Sequence, residues 1–193
     1  MLVVLGLGNP GKQYVRTRHN VGFRVVDALA QRWGVGGEVR RRKFLARVGE
    51  AVVAGRRVVL VKPGTYMNAS GRSARAVLDF YRLAPEALCV VSDDVNLPLG
   101  RLRVRRGGSA GGHRGLASVA ESLGTDIFAR LRVGVGAPRG ERRDYVLSAF
   151  GVKESEAADA AIKRATEAAA CWVEEGIERC MNRYNVAPQE TDG

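Results

Sequence analysis

Apolar positions along the chain follow two different periods. Leu2-Val3-Val4-Leu5 and Leu88 to Val91 are short unbroken apolar runs with the length and composition of buried strands. Segments 42–48 and 57–62 also read as strands, with Gly55 in a turn between apolar stretches. Residues 100–105 alternate strictly: Arg101, Arg103 and Arg105 face one way, Leu102 and Val104 the other, as in a half-buried strand. Leu131 to Val135 adds another strand. Between these runs the period lengthens. Val21, Val25, Leu29 and Trp33 recur every four residues behind Asn20, a candidate helix cap. Ser70 to Leu83 gathers Ala74, Val77, Leu78 and Tyr81 on one side, and a short helix ending near Leu123 follows the loop Gly107 to Gly112. The Ala-rich pattern from Lys153 to about Arg183 predicts one long terminal helix, and the polar residues after it predict a frayed end.

Strands that alternate with helices predict an α/β fold, a three-layer α/β/α sandwich around a mixed, mostly parallel sheet. At 193 residues the chain is long enough for one substantial core, and no repeat or linker divides it. The stretch 134–140, with Glu141, Arg142 and Arg143, reads as a mobile basic loop within that domain.

Charge narrows the function. Lys and Arg outnumber Asp and Glu by 31 to 20, a net charge of +11, which points to a polyanionic partner, nucleic acid before membrane. The alternative is a soluble protein with Arg-rich codon usage. Cys89, Cys171 and Cys180 form no CxxC pair, so neither a zinc pattern nor a disulfide framework is expected; they read as reduced thiols of a cytosolic protein. No apolar run approaches the roughly 18 residues of a membrane span. The N-terminal apolar run reads as a first strand and not a signal peptide. No long exposed apolar helix face demands a partner copy, so a monomer is expected.

Gly6, Gly8 and Gly11 match G-x-G-x-x-G after a strand. A dinucleotide site requires that turn to open a helix directly. Here Pro10 interrupts it, helical periodicity begins only near Asn20, and no acidic residue ends a second strand at the expected distance. The turn instead projects Asn9 over the sheet edge. The loop Gly107 to Gly115 holds His113 and Arg114 and lacks a Gly-Lys-Ser/Thr ending; it is either a phosphate- or sugar-approaching backbone or a plain turn. The chain has two histidines, which leaves few bases suited to neutral pH. His19, in Thr17-Arg18-His19-Asn20 just after the glycine turn, is the stronger candidate.

The segments GLGNPG, YxxTRHNVGF, KPxTYMNxSG, SDDxxLPLG and GSAGGHxGL occur in this order and together resemble the bacterial peptidyl-tRNA hydrolase family over about residues 1–185. Residues 186–193 remain as a polar tail. The resemblance implies hydrolysis of the ester between a peptide and the terminal ribose of tRNA, with no metal and no organic cofactor. His19 matches the family's base and Asp93 its carboxylate partner; Asp94, adjacent, points elsewhere. Asn9 and Asn68 match amides that line the site, and Tyr14 and Tyr66 match aromatic positions that could shelter the terminal adenosine or belong to the core. Met67 would pack in the cleft wall. Arg105 and Arg132 match basic residues that clamp the 5′ phosphate of tRNA, with Arg103 and Arg130 close in sequence; a solvated strand face is the alternative. The run 39–43 reads as a solvated face or general tRNA attraction. One position departs from the family: Arg114 stands where Asn is common, keeping donors, losing an acceptor and adding a fixed charge. The resemblance therefore leaves two readings, an esterase and an RNA-binding relative without hydrolysis; with His19, Asp93, Asn9 and Asn68 all present, the working esterase is expected. His113 reads as a structural donor in its loop.

Overall fold

The computed structural model describes residues 1–35, 41–138 and 140–186. Seven strands form one sheet in the order β2-β3-β4-β1-β5-β7-β6. They are β1 (Leu2–Gly6), β2 (Arg41–Lys43), β3 (Ala46–Val53), β4 (Arg56–Pro63), β5 (Leu88–Asp94), β6 (Leu102–Arg105) and β7 (Ala129–Gly134). β4, β1, β5 and β7 are mutually parallel neighbours, while β3 and β6 run against the strands beside them. Helices α1 (Val21–Arg32), α5 (Val152–Glu175) and α6 (Ile177–Tyr184) share one core with Val4, Leu60, Cys89, Val91 and Leu131. Helices α2 (Ser70–Tyr81) and α3 (Arg114–Leu123) cover the other face, over Val3, Leu5, Val59, Val61 and Val90. Successive strand residues thus enter different cores, which is why the inner strands read as unbroken apolar runs. No helix among the described residues is long and apolar enough to cross a membrane.

Four sequence expectations change. Segment 42–48 is a hairpin of two strands, turning at Phe44 (φ 58°) and Leu45 (φ 53°), where no Gly or Asn marks the bend. The terminal helix breaks at Gly176, whose φ of 87° suits glycine, and α6 folds back onto α5. The arginine strand begins at Leu102 and not at residue 100. Arg101 reaches the Asn185 carbonyl, and the Asn185 side chain bonds both the N–H (2.7 Å) and the C=O (3.1 Å) of Val104, capping the outer sheet edge. Finally, Arg142 and Arg143 open a short helix, α4 (Arg142–Leu147), whose Val146 packs with Val95 and Val135. Of the basic run 39–43, Val39 and Arg40 lie outside the described residues and the rest forms β2; residues 187–193 also lie outside.

The glycine turn after β1 serves packing. A Cβ on Gly6 would stand 2.2 Å from the Gly22 carbonyl oxygen, and one on Gly8 would stand 2.7 Å from the Phe23 ring. These glycines let α1 approach β1 closely enough to bring the residues before the helix over the sheet edge.

Candidate active site

The carboxyl ends of β1, β4 and β5 lie side by side, and the segments leaving them meet in one cleft of about 560 Å³. Such ends are where open parallel α/β sheets place ligands. The cleft is lined by Asn9, Tyr14 and His19 after β1, Tyr66, Met67 and Asn68 after β4, and Asp93 at the end of β5. Gly112, His113 and Arg114 from the second glycine loop close one side, and Glu141, Arg142, Arg143, Val146 and Leu147 another.

At its floor His19 Nδ1 lies 2.8 Å from Asp93 Oδ1. His113 Nε2 lies 2.9 Å from the same oxygen. The two imidazoles tilt past each other with centroids 5.1 Å apart. Burial pushes the Asp93 carboxyl upward, but the attraction and hydrogen bonds of His113, and then of His19, outweigh it and hold Asp93 below the usual carboxylate range. An ionised Asp93 accepts, so His19 carries its proton on Nδ1 and keeps Nε2 as a free lone pair. His113 Nδ1 in turn accepts from the N–H groups of Gly115 (3.1 Å) and Leu116 (3.3 Å) and caps α3. By spacing alone His19, Asp93 and His113 could ligate a metal ion, but the atoms that would do so hydrogen-bond one another.

Asn9 is fixed from both sides. The Asn20 side chain accepts from the Asn9 N–H and donates to its carbonyl, both at 2.9 Å, and this is how Asn20 is used, since it makes no side-chain cap on α1. Asn9 Oδ1 accepts from the Met67 N–H at 2.9 Å. Its Nδ2 has no partner among the described residues. Asn68 sits exposed in a 3-10 turn (Met67–Ala69) and caps nothing. Met67 is buried in the cleft wall, Tyr14 is half-buried, and Tyr66 is 62% exposed and therefore not core.

Asp94 turns away from the histidines. Its Oδ2 is 3.2 Å from Arg132 Nε, an ion pair by distance whose orientation falls short of a hydrogen bond, and its Oδ1 accepts from the Asn96 N–H. Arg132 lies across from Arg103, and Arg130 across from Arg105. These four share one sheet face, but not one environment. Arg103 and Arg105 are exposed, whereas Arg130 is 2% exposed and donates to the carbonyls of Ser109 (2.7 Å) and Asp126 (3.0 Å) over the Phe128 ring. Arg114 is exposed at the first position of α3.

Arg18 went unnoticed in the sequence. It is 5% exposed, wedged between the rings of Tyr145 and Phe150, and donates to Ser148, to the Ala149 carbonyl and to Glu154. Glu154 also accepts from the Gly151 N–H; that bond first, and Arg18 after it, hold Glu154 below the usual carboxylate range. One guanidinium thus ties the His19 turn to α4 and to the start of α5. Its only sequence signal is that it adjoins His19.

The fold and cleft together define an α/β protein whose ligand site is built at the carboxyl edge of the parallel strands, around an imidazole–carboxylate pair. Comparison with known proteins supplies the family. The family model described as peptidyl-tRNA hydrolase matches residues 3–192. A peptidyl-tRNA hydrolase of Synechococcus sp. (strain JA-3-3Ab) is 50% identical over 185 residues, covering 95% of this chain and 82% of that protein. One from Rhodopirellula baltica is 46% identical, covering 97% and 98%. The crystal structure of the Acinetobacter baumannii peptidyl-tRNA hydrolase superimposes with a TM-score of 0.89 at 34% identity, covering 96% of this chain and 95% of that one. This chain belongs to the peptidyl-tRNA hydrolase family.

Proposed function

We infer that this chain hydrolyses the ester of peptidyl-tRNA with water activated at His19. The observation that carries the reading is the bond from His19 Nδ1 to a buried, ionised Asp93, which leaves Nε2 basic at the cleft floor. Nε2 takes a proton from water as the water oxygen adds to the ester carbonyl. The oxyanion receives N–H donors from Asn68, and Asn9 Nδ2, freed by the bond of its Oδ1 to Met67, holds the peptide or the water. Collapse expels the ribose oxygen, which recovers the proton from His19; a free peptide acid and tRNA leave. An ester needs no covalent nucleophile, metal or organic cofactor for this sequence.

The tRNA end is read by charge. Arg105 and Arg132 hold the 5′ phosphate, Tyr14 and Tyr66 shelter the terminal adenosine, and Arg114 contacts the terminal nucleotides. Phosphate contacts carry no base information, so the enzyme serves tRNAs generally. It acts as a monomer in the cytoplasm, where aborted translation leaves its substrate.

The test is release of N-acetylated amino acid from an N-acetyl-aminoacyl-tRNA, beside the same tRNA with a free amino group. Selective cleavage of the blocked substrate, lost in His19→Ala with tRNA affinity retained, is the expected outcome. Tight binding without cleavage by the intact protein would instead make it an RNA-binding relative, and Arg114 the first residue to revert to Asn.

A further inference from the structure

His113 is 4% exposed and hydrogen-bonded at both ring nitrogens, on opposite sides of the site's floor. Two backbone N–H groups at the start of α3 point at Nδ1, so that atom must be a lone pair, and the proton must sit on Nε2. From there it donates to Asp93 Oδ1, the oxygen that His19 Nδ1 also addresses. The ring is held in place from behind. A Cβ on Gly115 would lie 3.1 Å from His113 Cε1 and 2.5 Å from Met67 Sδ, so the glycine is what allows imidazole, Met67 and α3 to pack this closely.

We propose that His113 is a positioning residue for the hydrolytic reaction: locked as the neutral Nε2–H tautomer by the N-terminus of α3, it holds Asp93 Oδ1 on His19 Nδ1. The inference rests on the functional reading above. Protonating His113 would turn Nδ1 into a donor facing two donors, so the proton taken up during catalysis stays on His19 and is not shared between two imidazoles. Helix α3 thereby contributes to the alignment of a base with which it shares no hydrogen bond.

The two nitrogens can be separated by substitution. Asn places its carbonyl oxygen where Nδ1 stands and caps a helix well, but cannot reach Asp93. Gln places its amide N–H near the position of Nε2 and loses the cap. His113→Asn should therefore keep the melting temperature and lose kcat about tenfold or more at unchanged KM, whereas His113→Gln should melt lower yet keep most of kcat. A merely structural His113 would give the reverse, activity following stability, and that pattern would overturn the proposal. Imidazole ¹⁵N spectra of the wild type decide the tautomer independently: His113 should show a protonated Nε2 and an unprotonated Nδ1. A protonated Nδ1 would equally sink it. Wild-type cleavage of N-acetyl-aminoacyl-tRNA is the control; its absence would count against the functional reading and leave the tautomer result standing.

Discussion

Two polar regions of this protein are built on opposite plans. At the cleft floor Asp93, His19, His113, Asn9 and Asn20 satisfy one another through bonds of 2.8–2.9 Å, and the groups left over face the cleft. On β6 and β7, four arginines stand in like-charged cross-strand pairs, an arrangement that weakens a sheet unless something else gains from it. The first region is ordered before any substrate arrives, as chemistry that depends on donor placement requires. The second leaves Arg103 and Arg105 exposed, as attraction of a polyanion requires. On the proposed reading chemistry and affinity fall to different parts of the sheet edge, and perturbing each should leave the other nearly untouched.

The sharpest break of that separation comes at Asp93. Asp93→Asn keeps the size of the side chain and one acceptor oxygen but removes the charge that both histidines share and puts a donor in place of the second oxygen, and kcat should fall by about 10³. Affinity for deacylated tRNA, measured by fluorescence anisotropy, should hold. A parallel loss of affinity would mean that the floor also organises the arginine face.

Arg130→Ala tests whether the arginine face is uniform. The part-buried carbonyls of Ser109 and Asp126 lose their donor and the Phe128 ring loses the guanidinium over it, so unfolding in denaturant should show a loss of about 1–3 kcal/mol. The folded fraction should keep its KM. A raised KM with unchanged stability would move Arg130 into the binding group.

pH separates the regions more gently. Asp93 has its carboxyl depressed in the folded protein. Its contribution to stability is therefore fully present above the unfolded carboxylate value, near 4, and is lost only as pH falls through the lower folded value. Arginines stay charged throughout. From pH 8 to pH 5 the protein should stay folded and tRNA affinity should stay flat, so that any change of turnover across this window belongs to the chemistry alone. An affinity that fell in step with turnover would join the two regions.

The legible parts of this molecule were those whose signals are local. Buried strands announced themselves by composition, and His19, Asp93, Asn9 and Asn68 lie in motifs at or after the carboxyl ends of strands, so the topology had only to bring those ends together. What failed to read depends on distant partners. Arg18 looks like any basic residue until residues 145–154 enclose it. Arg130 and Arg105 have the same alternation, yet only Arg130 is covered, by carbonyls of the loop and of the turn before β7. His113 looked like a loop donor because its tautomer is set by backbone at 115–116 and its target lies 20 residues back. The hairpin at Phe44-Leu45 has no turn chemistry to betray it, and a single glycine at 176 within an Ala-rich pattern is tolerated in many helices, so the break was invisible.

The smallest expected effect discriminates within the arginine face. Arg105 has no carboxylate partner among the described residues, whereas Arg132 shares its charge with Asp94 at 3.2 Å. If both clamp a phosphate, each alanine substitution should weaken tRNA binding and lower the log–log salt slope, by about 0.7–0.9 for a fully released counterion. Arg105→Ala should approach that figure. Arg132→Ala should fall short of it, because the substitution also frees Asp94, whose other oxygen accepts from the Asn96 N–H, and part of the charge removed was already neutralised. Neither should change the saturated rate. An unchanged slope in both would remove the clamp from the reading. A larger change for Arg132 than for Arg105 would mean that the phosphate displaces Asp94 on binding, and Asp94→Asn would then tighten tRNA binding.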